Sequence, residues 1–351
     1  MPLRPAGAQL CRRPVSLEQK DSDTPMHWLA PFSVALVTVL SALQSETRAQ
    51  DYPMRPVTVV APYAAGGGAD LVARVLAQKL GDRLGQSFVV ENRLGAGGVI
   101  AASSVAKASP DGYTVFLGTS TQLAIQVTLH KKLPYDPATD FAPIALIASV
   151  PFVLIVHPSL GVSSLGQLIT LAKARPGQLS FGSSGVGGPP HLYTELLKMM
   201  TGIEMTHVPY KGTAQAINDL VAGHVPIIFC DLAPAVPLIR EGKVLALGIS
   251  SATRFVTIPD VPPIAEAGVP GFDAVAWLML VAPAHTPSPI VDKLHAETEA
   301  VVATAEVRQQ FIELGVTPIN SPLPEDLTRY VKAEVARWGD VVRHAGLAGS
   351  E

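Results

Sequence analysis

The chain has 351 residues, 48% hydrophobic and 16% charged. That is enough for roughly two domains with cores of their own, and too apolar for a disordered chain. The formal net charge is −3 and no block of like charges occurs, which excludes a nucleic-acid partner bound by phosphate neutralisation. A small anionic ligand stays possible, because a few aimed backbone amides bind an anion without net positive charge.

In chain order, the first feature is an uncharged apolar run over residues 28–43. It has the length of a signal-peptide apolar region and falls short of the roughly twenty residues of a spanning helix. Thr47-Arg48-Ala49 follows, with small residues where a signal peptidase reads. Residues 1–49 are therefore predicted to be a signal peptide with an N-terminal extension, cleaved after Ala49. Translation from Met26 rather than Met1, and retention of the run as an anchor, are open alternatives. Either way the bulk of the protein is predicted to be periplasmic. Cys11 falls in the leader and leaves Cys230 alone, so neither an intrachain disulfide nor a cysteine metal site can form.

Residues 57–61 are short and β-branched, a buried strand. They run into Pro62-Tyr63-Ala64-Ala65-Gly66-Gly67-Gly68-Ala69-Asp70 and a helix over 69–84. A strand at 88–90, a glycine-rich turn at 92–98, a helix over 99–108 and a strand at 113–117 follow. The pattern restarts after Pro151, with a strand at 152–156, a helix over 164–174 capped by Ser163 or Ser164, and a strand at 179–181. Next come Gly182-Ser183-Ser184-Gly185-Val186-Gly187-Gly188 and a helix over 190–201. Strands at 205–208, 225–229 and 244–249 alternate with helices at 213–222 and 233–241. The tail reads as a strand at 275–281 and helices at 289–303, 305–314 and 324–343. This alternation predicts two α/β units. The expected lobes are 51–151 plus 277–351, and 152–276, because the tail helices need a sheet to cover.

Each unit sets strand ends against glycine-rich corners that open helices. In open α/β sheets ligands bind beyond the carboxyl ends of the strands. Helix starts offer unsatisfied N–H groups and a positive dipole end. Four such corners occur: 66–70, 92–98, 182–188 and 208–212, with Thr213 the expected cap of the last. Each is also compatible with mere tight turning or close packing, and Asp70 with capping its own helix. No dinucleotide or P-loop glycine pattern is present. Ser184, His191 and Asp231 supply the residue types of a hydrolase triad, but the Gly-x-Ser-x-Gly elbow is one residue short. The histidines are scattered without metal-ligand spacing, so neither a metal nor an organic cofactor is expected.

The matching stretches Tyr52-Pro53, Arg55-Pro56, Pro62-Tyr63 with Gly66-Gly67-Gly68-Ala69-Asp70, Val90-Glu91-Asn92 with Gly95-Ala96-Gly97-Gly98, Ala108-Ser109-Pro110-Asp111-Gly112-Tyr113, Leu133-Pro134-Tyr135-Asp136-Pro137, Phe181-Gly182-Ser183-Ser184-Gly185, His207-Val208-Pro209-Tyr210-Lys211-Gly212, Arg254 and Ile258-Pro259-Asp260-Val261-Pro262 resemble the Bug family. These are the extracytoplasmic solute-binding proteins of tripartite tricarboxylate transporters. The resemblance implies a two-lobed periplasmic-binding-protein clamshell, each lobe a mixed, mostly parallel sheet flanked by helices. It implies a receptor, not an enzyme, that captures a small mono-, di- or tricarboxylate in the interlobe cleft. Its implied partners are one small and one large membrane transporter subunit, with the receptor itself a monomer. By motif match the ligand contacts fall on Tyr63, Gly66, Gly67, Gly68, Asp70, Thr119, Ser120, Ser183, Ser184, Gly185, His191, Tyr210 and Asp231. Ala64-Ala65, Gln126 and Cys230 depart from the family's usual residues. A sensory receptor and an exported hydrolase are the competing readings.

Overall fold

The structure, a computed structural model, describes residues 52–351; the predicted leader and its cleavage point lie outside these residues. Strands β1 (Val57–Ala61), β2 (Phe88–Asn92), β3 (Thr114–Thr119), β4 (Phe141–Val150), β10 (Ala276–Pro283) and β11 (Thr317–Pro318) form one sheet, in the order β11-β4-β10-β3-β1-β2. The second sheet runs β7-β6-β8-β5-β9, from β5 (Phe152–Val156), β6 (Ser180–Ser183), β7 (Thr206–Pro209), β8 (Ile227–Asp231) and β9 (Leu245–Ile249). Strand β1 pairs in parallel with both β2 and β3, and β6 with both β7 and β8. In the first sheet β10 lies antiparallel between β3 and β4; in the second, β5 lies antiparallel between β8 and β9. The fold is thus two-lobed α/β, each lobe a mixed sheet in which most strands share a direction.

The helices are α1 (Gly68–Leu84), α2 (Val99–Ala106), α3 (Gln126–Leu129), α4 (Leu165–Ala174), α5 (Pro189–Thr201), α6 (Thr213–Val221), α7 (Leu232–Arg240), α8 (Ser288–Val302), α9 (Ala305–Glu313) and α10 (Pro324–His344). Local chemistry sets several boundaries. Ser164 and Thr304 cap α4 and α9 by accepting the N–H groups of Gln167 and Val307. Gly85, left-handed at φ 69°, ends α1. Along α10, Leu327, Val331, Glu334, Trp338, Val341 and Val342 are buried at spacings of three and four, one helical stripe.

Strand alternation explains how one core serves both lobes. Val57, Val59 and Ala61 face α1, α8 and α9, while Val60 faces the other way. Leu154 and Val156 of β5 join that same inner cluster, and Val153 and Ile155 face α6 and α7. The inner cluster therefore takes one face from each sheet and is closed by Tyr193 of α5 and Trp338 of α10.

Several elements escape the sequence reading, β4, α3 and the short β11 among them. Residues 118–150 yield no predicted strand, yet β4 is ten residues long and central. Its Pro143 breaks the usual strand pattern, and the sheet absorbs it at a register shift opposite Val281. A wide helical turn over Thr121–Ile125 leads into α3. It is wholly buried and carries Gln122 in an apolar setting, with buried Gln126 opening α3 behind it.

Candidate functional site

A cleft of about 990 Å³ opens between the two sheets. Its walls are built at strand carboxyl ends. From the first lobe come the corner after β1, with Tyr63, Gly66, Gly67 and Gly68, and the corner after β3, with Thr119 and Thr121. From the second come Ser184 and Gly185 after β6, Tyr210 and Lys211 after β7, and Asp231 at the end of β8. Phe152, Leu129, Trp277 and Val316 give the cleft an apolar floor.

Three helices open on this cleft from a glycine N-cap, without a side-chain cap. They are α1 at Gly67, α5 at Gly188 and α6 at Gly212. The first-turn N–H groups of α1 and α6 remain free for a ligand, whereas α5 opens on Pro189-Pro190, which carry none; all three dipoles put partial positive charge at the cleft. Thr213, the expected cap of α6, is instead the residue after the Gly212 N-cap; its hydroxyl donates to Asp231 Oδ2 at 3.3 Å.

Of the thirteen predicted contacts, Tyr63, Gly66, Gly67, Gly68, Thr119, Ser184, Gly185, Tyr210 and Asp231 line the cleft together. Asp70, Ser120, Ser183 and His191 are buried behind it. Asp70 does not cap its helix. Its carboxylate accepts from the Gly66 N–H at 2.8 Å, from Arg74 Nε at 2.9 Å and from Asn92 Nδ2 at 2.8 Å. Those hydrogen bonds, with the neighbouring Arg74 charge, outweigh burial and hold its pKa below the usual carboxylate range. Asn92 also donates to the Tyr63 carbonyl at 2.8 Å, so one network fixes the entire first corner. The left-handed backbone there falls on Gly66, at φ 86°, while Gly67 is extended at φ −75°.

The second lobe is braced by a histidine pair. The His191 and His207 rings stack at 3.7 Å, with Phe181 against His207 at 5.0 Å. His207 Nε2 lies 2.6 Å from the Ser183 hydroxyl, which donates to the Gly185 carbonyl at 2.9 Å. His191 Nδ1 accepts from the Gly187 N–H at 3.1 Å, and its Nε2 lies 3.7 Å from Glu195. Ser183 and His191 thus shape the 185–188 rim from behind. His191 is turned to Gly187 and Glu195, and Asp231 is bonded to Thr213, so Ser184, His191 and Asp231 do not form a relay.

Among the described residues the Ser184 hydroxyl has no hydrogen-bond partner, and no group of three metal-binding side chains occurs. Asp231 is raised above the usual carboxylate range by burial. The Tyr210 hydroxyl, which donates to Asp219 at 2.8 Å, is pushed up to about 12 by burial and that carboxylate. The sequence reading missed Gln122, Lys211 and Thr213 as cleft-building residues. The one signal for Gln122 is a polar residue directly before the apolar stretch Leu123-Ala124-Ile125, where a buried amide must find partners.

A model of the tripartite tricarboxylate transporter family receptors matches residues 72–347. The chain belongs to that family. Among related receptors, it is 36% identical over 314 residues to the protein BugT of Bordetella pertussis, covering 89% of this chain and 96% of that one. It superposes on the R. palustris protein Rpa4515 with adipate at TM-score 0.75 and 42% identity, covering 85% of this chain and 99% of the other. MatC of Rhodopseudomonas palustris with bound malate gives TM-score 0.72 and 38% identity, covering 83% and 100%. Among the described residues of this receptor, no helix is long and apolar enough to cross a membrane.

Proposed function

We propose that this receptor captures a small carboxylate between its lobes in the periplasm and delivers it to the membrane subunits, one small and one large, of a tripartite transporter. The observation that carries the reading is the convergence of uncapped helix starts on one cleft, with free first-turn amides behind Gly67 and Gly212 and the dipole end of α5 at Gly188. Free amides at helix N-termini are the cheapest anion site a fold can build. The bound adipate and malate of the two Rhodopseudomonas relatives support the same chemistry, and favour a dicarboxylate among the possible acids.

In this reading the lobes are 51–151 with 277–351, and 152–276, and the chain acts as a monomer after cleavage behind Ala49. The two sheets support that division, since the first draws its strands from 57–150 and 276–318. The cleft-lining residues Tyr63, Gly66, Gly67, Gly68, Thr119, Ser184, Gly185, Tyr210 and Asp231 touch the ligand or the waters around it. Asp70, Ser120, Ser183 and His191 hold those contacts in place. Thermal-shift screening of dicarboxylates, tricarboxylates, amino acids, aromatic acids and sugars tests this, with native mass spectrometry of protein purified without refolding. Stabilisation by dicarboxylates is expected; stabilisation by sugars alone overturns the reading.

A further inference from the structure

Gln122 is fully buried, and its amide is oriented without ambiguity. Its Oε1 accepts from the Thr119 N–H at 3.0 Å, a group that can only donate. On the other side Nε2 donates to the Gly97 carbonyl at 2.7 Å, a group that can only accept. The second hydrogen of Nε2 goes to Tyr63 Oη at 3.0 Å. The Tyr63 oxygen is therefore already an acceptor, and its own single hydrogen has to go elsewhere. The nearest hydroxyl, Thr119 Oγ1, lies 3.5 Å away. That oxygen gives its hydrogen to Gln122 Oε1 at 2.8 Å and accepts the Thr121 N–H at 3.2 Å. The Thr119 oxygen keeps one lone pair for the phenol hydrogen, but 3.5 Å is long for a hydroxyl hydrogen bond, so a ligand oxygen at ordinary distance is the better acceptor. Across the cleft, Tyr210 has spent its hydrogen on Asp219.

We propose that Gln122 sets the specificity of the cleft by turning the Tyr63 hydroxyl hydrogen toward the ligand, so that this point selects an oxygen that accepts only, as in a carboxylate, over an ammonium or amide NH₂. Gln122 touches no ligand in this scheme; it is a positioning residue acting through Tyr63. The inference rests on the carboxylate reading and deepens it, naming the atom that reads the acid and the residue that aims it. Substituting Glu for Gln122 reverses the aim. A glutamate carries at most one hydrogen, and the Gly97 carbonyl, unable to donate, takes it. Tyr63 then turns its hydrogen inward to the glutamate and presents lone pairs to the cleft.

The test is a double-mutant cycle by calorimetry, with adipate and malate as probes. Tyr63→Phe, Gln122→Glu and the double variant are compared, with circular dichroism to verify folding. Tyr63→Phe and Gln122→Glu should each weaken the better-bound acid by about tenfold, the cost of one lost hydrogen bond to a charged group. The double variant should bind no worse than the weaker single, because both changes remove the same hydrogen bond. Gln122→Met repeats the cycle without a new charge and should couple to Tyr63 in the same way. Losses that multiply in the double variants overturn the inference, as does Tyr63→Phe binding like wild type, whatever the Gln122 variants do. A wild type that binds no carboxylate in the screen removes the functional reading and this inference with it. A wild type that binds while Tyr63→Phe binds equally removes only this inference.

Discussion

Trp277 and Trp338 donate their indole N–H groups to the same oxygen, Glu334 Oε2, at 2.9 and 3.0 Å. Trp277 lies on β10 and lines the cleft; Trp338 lies on α10 and stacks at 5.4 Å on Tyr193 of the second lobe's α5. One buried carboxylate thus ties the cleft floor to the helix that joins the lobes. Tyr330, edge-on to Trp277 at 5.4 Å, completes the cluster.

Removing that carboxylate leaves two buried donors without an acceptor. Glu334→Ala should destabilise the protein by about 2–6 kcal/mol, at about 1–3 kcal/mol for each of the two stranded donors. Glu334→Gln keeps a carbonyl oxygen that can accept both indoles, and should cost about 1–2 kcal/mol. Chemical denaturation of the two variants checks the order. Equal losses would mean that the indole bonds contribute little and the Arg337 ion pair carries the effect.

The histidine brace predicts an acid-side loss of stability. Burial, with His191 adding to it, pushes His207 down to about 4. An unfolded histidine titrates near 6.5. Between these values the unfolded chain holds the proton and the folded chain does not, so stability rises with pH. The contribution is complete above about pH 6.5 and falls away toward pH 4. Glu195 and Lys198 face the same pair, the first favouring protonation of His207 and the second opposing it. Melting temperatures from pH 4 to 8 should therefore fall more steeply on acidification for wild type than for His207→Gln. Parallel curves would remove His207 from the acid response.

The strands and helices of both sheets are legible where periodicity is clean, as in the β-branched run of β1 and the stripe of α10. The long β4 is not, because Pro143 and its alanines mask a strand whose place is set by pairing with β10. The cleft corners are legible from their glycines and strand-to-helix position. What lines the cleft and what stands behind it is not. Asp70 and His191 match ligand-contact motifs, but long-range partners, Asn92 for one and His207 for the other, turn them into braces. Gln122 shows in sequence only as a polar residue beside an apolar stretch, because its partner Tyr63 is 59 residues away in the chain.

Asp231 stands in the wall of a cleft proposed to hold an anion. Burial raises its pKa, so its charge is already disfavoured there. Placing a carboxylate ligand nearby should disfavour that charge further and couple binding to proton uptake. Asp231→Asn removes the repulsion and keeps an acceptor for the Thr213 hydroxyl. It should bind dicarboxylates at least as tightly as wild type, with an affinity that depends less on pH. A total loss of dicarboxylate binding in this folded variant would mean that Asp231 reads a donor on the ligand, such as an ammonium group.

A ligand held between the lobes needs contacts from both sides, and three small changes, one in the second lobe and two in the first, test them. Ser184 lines the cleft with a free hydroxyl, so Ser184→Ala should cost about 1–3 kcal/mol of binding if that hydroxyl meets a charged oxygen in the closed cleft. That is roughly 5- to 150-fold in affinity. Opposite it, Gly66 sits at φ 86° with nothing within 4 Å of a Cβ built on it. Gly66→Ala, which adds only that Cβ, should therefore meet backbone strain rather than collision with protein atoms, at about 1–3 kcal/mol. Gly67, at φ −75°, accepts a side chain conformationally, its Cβ coming no nearer than 3.4 Å to the Ala64 carbonyl. Gly67→Ala should therefore fold normally and lose affinity only if the ligand comes close to that backbone. Calorimetry with adipate on the three folded variants separates hydroxyl, strain and close approach. Unchanged affinity in all three would place the ligand away from both corners.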